Sequence, residues 1–447
     1  MKTKATLLIC LSILIFPLFA TSQIIQVPDD YPLIQEAIDA ANEGDTVLVA
    51  PGTYPENLDF KGKNITLASH FLNAEDEALI AQTIIDGNLS GPIVTFDSGE
   101  SNQAQLIGFK LINGTHNLTE DFPPYGGGVI CVNASPHIRN NIISNCECSS
   151  FSYSNFGGIY CENSEALIEK NHISNITGHF TRKVGGIVSH KASPSLIQNT
   201  ITNITGGYAF QGAGISADSS LLFIYRNVID SCEFDVGPYN ASIKLFDSEA
   251  TILNNTLIGE VAINKQSVVS LTNNIILSQQ EPLAISEMNE SNAEIEANYN
   301  NVKGGWTGTG NFDQEPYFVD FEVHNYELQS ISPCIDAGNP DSEPDPDGTP
   351  ADIGALYFHQ NSTSSRDLEW GKTIKIFPNP STEYIQVLAE IDTPTHFRLF
   401  NLQGKIVAFG KLREAQQISL KGLAEGSYWL ELQHEEGGLW VSKIIKQ

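Results

Sequence analysis

From Gly126 onward the chain repeats itself with a period near 28 residues, and this limits its fold more than any other feature. An asparagine recurs at Asn141, Asn171, Asn199, Asn227 and Asn255, at intervals of 30, 28, 28 and 28 residues. Three positions before each stands Ile138, Ile168, Leu196, Ile224 or Ile252, and two positions after each stands Ile143, Ile173, Ile201, Ile229 or Leu257. The pattern thins into Leu271, Asn274 and Ile276, then Ile295 and Asn298. A second aliphatic column, Val129, Ile159, Ile187, Ile215 and Ile243, mostly follows Gly-Gly or Gly-Ala pairs.

Short β-branched runs that alternate with period two, broken by Asn and Gly at fixed offsets, describe strands joined by sharp bends. Twenty-eight residues cannot bury a core alone, so each coil must stack on the next with its aliphatics aligned in continuous interior columns. The fold class expected is all-β, a right-handed parallel β-helix. Asparagine tolerates the left-handed conformation of a sharp bend, and stacked amides can bond from coil to coil, so the Asn column reads as structural. Cys131 and Cys161 share one column and Cys146 and Cys232 another. Neighbouring strands lie ~4.8 Å apart, within reach of a disulfide. A Cys131–Cys161 bridge and buried free thiols both remain open.

Lys2 and Lys4 precede an uncharged run, Ala5 to Ala20, that closes on Ala20-Thr21-Ser22, the pattern of a secretory signal peptide over 1–22. The whole chain holds 53 acidic and 24 basic side chains, a formal charge of −29. Without residues 1–22, which carry two lysines and no acid, it stands at −31. Such a chain repels nucleic acid and anionic membranes, and no other apolar run is long enough to span a bilayer, so neither nucleic acid nor a transmembrane segment is expected of the mature chain.

Residues 24–67 carry Val27-Pro28-Asp29-Asp30-Tyr31-Pro32, the stretch Leu33 to Ala41 and Gly44-Asp45-Thr46-Val47 through Pro51-Gly52-Thr53-Tyr54. They resemble the start of the pectin-lyase-like β-helix superfamily, a resemblance that runs to about residue 357. It implies an N-terminal capping helix, for which Leu33, Ile34, Ala37, Ile38 and Ala41 have helical spacing. Ser332-Pro333-Cys334-Ile335-Asp336-Ala337-Gly338 and the acidic run after it resemble the terminal region of exported bacterial β-helix proteins. In that run Asp341, Asp345, Asp347 and Asp352 offer hard oxygen ligands, so a Ca²⁺ site stands beside a solvated acidic turn as the alternatives.

Ile376-Phe377-Pro378-Asn379-Pro380-Ser381, Leu399 to Lys405, Leu423 to Trp429 and the ending Lys443-Ile444-Ile445-Lys446-Gln447 resemble the C-terminal sorting domain of the type IX secretion system. That implies a small antiparallel β-sandwich, contact with the secretion machinery, passage across the outer membrane and a secreted or surface-attached product. The organisation read from the sequence is therefore signal peptide 1–22, β-helix 23–357 with repeats clearest over 126–302 and a terminal segment 330–357, linker 358–372, and sorting domain 373–447.

In the strand after each Gly-Gly, if Ile159 and Cys161 point inward then Tyr160 and Glu162 point outward. The same register aligns Glu162, His190 and Asp218 in one outer column on three successive coils. Neighbours there would be ~4.8 Å apart and the outer carboxylates roughly twice that, near the upper limit of about 6.5–9.5 Å for an inverting glycosidase. For a lyase, His190 or Tyr160 could take the proton and Arg182 or Lys244 neutralise a uronate. Loop residues Phe122, Tyr125, Phe151, Tyr153, Phe156, His179, Phe180, Arg182, Lys183, Tyr208, Phe210, Phe234 and Tyr239 line the approach. Catalytic candidates are thus Glu162, His190 and Asp218, with Tyr160, Arg182, Lys183, Tyr208 and Lys244 for substrate and Asp345, Asp347 and Asp352 for metal. The motifs of polygalacturonases and pectate lyases are absent, so two functions remain: a polysaccharide lyase or hydrolase, and a non-catalytic adhesin or carbohydrate-binding rod.

Overall fold

The computed structural model describes residues 22–115, 125–148, 155–179, 183–207, 211–234, 241–264, 266–278, 284–288, 292–360, 374–388, 395–401, 405–412, 416–434 and 439–447. Residues 1–21 of the expected signal peptide, and Phe122, Phe151, Tyr153, Phe180, Arg182, Tyr208, Phe210 and Tyr239, lie outside them. No described helix is long and apolar enough to cross a membrane.

Each coil contributes one strand to each of three parallel sheets, which are denoted A, B and C in the order the chain visits them. Sheet A has eleven strands, from Ile24–Val27 to Glu294–Asn298, sheet B ten, from Gly52–Tyr54 to Asn301–Val302, and sheet C nine, from Leu58–Asp59 to Ile285–Met288. The aliphatic columns are in register: Ile138, Ile168, Leu196, Ile224 and Ile252 pair in sheet A, and Val129, Ile159, Ile187, Ile215 and Ile243 in sheet C. Together they fill one continuous apolar interior. The expected β-helix is therefore the observed fold, and the helix Ile34–Ala40 caps it with Ile34, Ala37 and Ile38 fully buried. Glu56 accepts from the backbone N–H of Ile34 and Gln35 at 2.9 and 3.0 Å, satisfying donors at the N-terminus of that helix.

The asparagine column is a buried hydrogen-bond ladder. Asn171 Oδ1 accepts from Asn141 N and Nδ2 at 3.0 and 3.1 Å, and the same pair of bonds repeats through Asn199, Asn227, Asn255 and Asn274. Two details differ from the sequence reading. The ladder continues through Asn300 and Asn311 rather than Asn298. Its members also do not take the left-handed conformation; the residue before each one does, as at Asn140, Lys170, Gln198, Arg226, Asn254, Asn273 and Tyr299. The bend frees the asparagine side chain to point inward, where its amide satisfies backbone groups that the turn leaves unpaired.

The glycine of each Gly-Gly pair nearest the aliphatic column is dictated by space. A Cβ at Gly158, Gly186 or Gly214 would come within 2.5, 2.4 or 2.3 Å of Cγ2 of Ile173, Ile201 or Ile229. All six cysteines among the described residues are free and buried. Cys131 lies opposite Cys161 in register, and burial pushes the Cys146 thiol up to about 12 and Cys334 to about 11, which leaves them unreactive as thiols.

Among the described residues, later segments of the chain pack on the outer faces of sheets A and B. The strands Phe318–Asp320 and Asn325–Leu328 and the segment around Cys334 and Ile353 pack with Ile258 and Ile275 of the sheet B side. The C-terminal residues form a three-stranded and a four-stranded antiparallel sheet, with Ile385, Leu399, Leu430 and Leu432 among the residues of their own core. They lie against sheet A through Trp429, Phe400 and Val441.

Candidate functional site

Glu162, His190 and Asp218 close the strands Asn155–Glu162, Lys183–His190 and Gln211–Asp218 of sheet C. Glu162 pairs in register with His190, and His190 with Asp218. The column expected from the sequence therefore forms. Each of the three residues is partly exposed, and a left-handed residue, Asn163, Lys191 or Ser219, follows each and turns the chain toward sheet A.

The groups beside the column are not displayed as expected. Tyr160 is 1% exposed, Lys183 2% and Lys244 8%, although the register points Tyr160 and Lys244 away from the core. For Tyr160 and Lys183 part of the cause lies in the glycines of their own strands. At Gly157 and Gly185 the backbone approaches the outward side of the sheet so closely that a Cβ would lie 3.2 and 3.1 Å from Cγ2 of Val188. The strand thus covers part of its own outer face, and Ile130, Val132, Tyr160 and Val188 form a small apolar cluster there.

This path brings Lys183 Nζ to 2.6 Å from Asp218 Oδ2 on the next coil. His190 Nδ1 lies 3.5 Å from the same oxygen. Tyr160 donates from its hydroxyl to Glu162 Oε2 at 2.7 Å. Burial lowers the His190 pKa, and the nearby Lys183 and Lys191 charges lower it further, outweighing Asp218 and Glu162. Burial raises the Asp218 pKa, but its hydrogen bonds to Lys183 and Ser219 and the Lys183 charge hold it below the usual carboxylate range. The result is an ionised aspartate beside a neutral imidazole at neutral pH.

Further along the face, burial lowers the Lys244 pKa and raises that of Glu260, and each charge opposes the other's shift. Glu260 is a residue the sequence reading passed over, since its coil breaks the 28-residue register: only nineteen residues separate Asn255 from the next ladder asparagine, Asn274. Phe156 is fully buried in the core and so lines no groove.

The acidic loop uses its carboxylates to fold itself. Asp345 Oδ2 accepts from Asp352 N at 2.7 Å and Oδ1 lies 3.4 Å from Arg226 Nη2. Asp347 accepts from Thr349 and from Gln360 N, and Asp352 accepts from Asp336 N and Phe358 N at 2.7 and 2.6 Å. Burial pushes Asp352 up to about 7. Among the described residues no three His, Cys, Asp or Glu side chains are grouped closely enough to hold a metal ion, and Asp345, Asp347 and Asp352 instead accept backbone N–H groups of their own loop.

Residues 375–447 match the family described as the secretion system C-terminal sorting domain. No curated protein matches the chain. Among solved structures, XylC in complex with xylose is 11% identical, with 94% of this chain and 99% of that one covered and a TM-score of 0.32. The tailspike protein gp49 of Acinetobacter baumannii bacteriophage Fri1, a capsular polysaccharide depolymerase, is 8% identical, with 95% and 77% covered and a TM-score of 0.29. The PL6 family alginate lyase AlyGC is 12% identical, with 72% and 60% covered and a TM-score of 0.20. The chain is thus a parallel β-helix protein that carries a secretion system C-terminal sorting domain and is exported across the outer membrane, to be secreted or held at the cell surface.

Proposed function

We propose that this exported β-helix protein engages polysaccharide on the outer face of sheet C and cleaves it there as a lyase, with His190 as the base. The observation that supports this is the state of His190: a partly exposed imidazole, kept neutral by burial and by Lys183, between two carboxylate side chains. A neutral imidazole can take a proton at neutral pH. In the elimination, the proton next to the sugar carboxylate passes to His190, its electron pair forms the carbon–carbon double bond, and the glycosidic oxygen leaves with its bonding pair and is protonated by water. Asp218, held ionised by Lys183, lies 3.5 Å from the imidazole Nδ1 without a hydrogen bond to it and is ill-suited to donate a proton. A hydrolase on the same column would have to use Glu162 as its acid.

The burial of Tyr160, Lys183 and Lys244 supports the second reading, a carbohydrate-binding rod without catalysis, because it withdraws two of the cations expected to hold a uronate. One experiment separates the two. The exported chain is incubated with neutral and uronic-acid glycans, with and without Ca²⁺, and new reducing ends and the absorbance of unsaturated products are followed. Unsaturated ends that vanish in His190→Ala support the lyase. Retardation in a glycan affinity gel with no new ends supports the rod, and silence in both assays removes polysaccharide as the ligand.

A further inference from the structure

On the strand Leu221–Tyr225, Leu222 and Ile224 point into the β-helix, whereas Phe223 and Tyr225 point out of sheet A, where a solvated strand would place polar groups. They meet the sorting domain. The Trp429 indole stacks flat on Phe223, with centroids 4.7 Å apart and planes 10° from parallel. Ile197, Leu253, Phe400 and Val441 close the contact, and none of these side chains is more than 6% exposed.

The polar part of the contact is equally specific. Glu431 is buried in the sorting domain, 2.9 Å from Arg398 Nε, and receives the Tyr225 hydroxyl at 2.6 Å from the β-helix. At the edge, Lys443 Nζ lies 2.8 Å from Glu165 Oε2. Charge favours the same match. Residues 373–447 hold eight basic and eight acidic side chains, so the whole −31 belongs to residues 23–372, and Arg398 and Lys443 are cations that the neutral domain turns toward that acidic body.

We infer that this face of sheet A is a binding site for the sorting domain in its own right, so that the domain stays bound after the peptide link between them is cut. A stacked aromatic pair at the centre, a desolvated Tyr–Glu–Arg cluster beside it and a salt-sensitive ion pair at the rim is the arrangement of an interface with a few dominant residues. The linker then only raises the local concentration of a partner that the face already recognises. Removing the domain from the exported protein takes more than hydrolysis of the chain: the Phe223–Trp429 stack must also be undone, and doing so bares an aromatic patch on the helix body.

The test uses the full chain with a specific protease site placed within residues 361–373. After cutting, the two fragments are followed by gel filtration with light scattering over serial dilution. Co-elution at about ten micromolar total protein, with separation only on further dilution, is expected. Phe223→Ala, which alters the outer face of the body and leaves the core of the sorting domain intact, should weaken the complex at least tenfold while circular dichroism of the body is unchanged. Lys443→Ala should mainly reduce the salt dependence. Separation of the unsubstituted fragments at that concentration, or an affinity unaltered by Phe223→Ala, overturns the inference.

Discussion

Lys183 and Asp218 lie 35 residues apart in the chain, and the lysine ammonium sits 2.6 Å from the aspartate Oδ2 with both side chains largely withdrawn from water. Burial is the main cause of the lowered His190 pKa, and within the pair Lys183 adds to it while Asp218 opposes it. Replacing Lys183 with Met removes the cation that disfavours the imidazolium while leaving Asp218 and Glu162, which favour it. The His190 pKa should therefore rise in Lys183→Met, as read by NMR titration of its ring. Leaving Asp218 without its partner should also destabilise the fold by about 3–5 kcal/mol. A His190 titration indistinguishable from that of the unsubstituted protein would show that the two groups are not coupled.

The same imidazole gives the fold a pH dependence whose sign can be stated. His190 has a folded pKa below its ordinary value of 6.5, so the unfolded chain binds the proton first. Stability from this residue is complete above that value and falls as the pH drops through 6.5 toward the folded pKa. Asp218, also lowered from its ordinary 3.8, contributes stability that is present above 3.8 and lost as the pH falls through its folded pKa. Urea unfolding of the unsubstituted protein and His190→Gln between about pH 5 and 8 should give curves that run parallel above pH 6.5, with the unsubstituted protein losing stability relative to the variant as the pH falls below it. Under the proposed lyase chemistry, the acidic limb of activity lies below pH 6.5 for the same reason.

The asparagine ladder makes a prediction about stability alone. Asn199 Oδ1 accepts from both nitrogens of Asn171, and its Nδ2 donates to Ile168 O and to Asn227 Oδ1. Asn199→Ala leaves several buried polar groups unpaired at once, each worth about 1–3 kcal/mol. The loss should be about 3 kcal/mol or more in denaturant unfolding. Asn311, at the half-buried end of the ladder, should lose less than Asn199 when changed to Ala. Equal losses at the two positions would mean that burial does not govern the ladder.

The fold was legible because a stacked architecture writes its contacts into the period of the sequence. Ile168 and Leu196 touch because they are 28 residues apart, and the same count aligned His190 with Asp218. Whatever departs from the period was hidden. Lys183 reaches Asp218 across 35 residues because the backbone folds over its own sheet at Gly185, a path that the spacing does not record. Phe223 and Tyr225 take positions that repeat arithmetic assigns to solvent, and only their docking with Trp429 and Glu431, about 206 residues away in the chain, explains them. The acidic run showed oxygen ligands, but the sequence could not reveal that Asp345 and Asp352 accept backbone N–H groups.

Gly186 links the packing of the β-helix to its candidate site. An alanine Cβ there would lie 2.4 Å from Ile201 Cγ2, 3.1 Å from Gly214 O and 3.4 Å from Ile204 Cδ1. Ile201 and Ile204 are fully buried and the Gly214 contact is to backbone within the strand Gln211–Asp218, so the strain cannot be relieved by moving a free side chain. Overpacking of this kind costs about 1–3 kcal/mol. Part of the strain should travel along the strand Lys183–His190, since Gly186 lies between the two residues that meet Asp218. Gly186→Ala should therefore lower the denaturant midpoint and also shift the His190 titration. Adding Ile201→Ala removes the clashing methyl, so the double variant should lose less than the sum of the single losses and bring the His190 pKa back toward its starting value. Strict additivity of the two losses would show that the glycine column is not what clears space for the isoleucines.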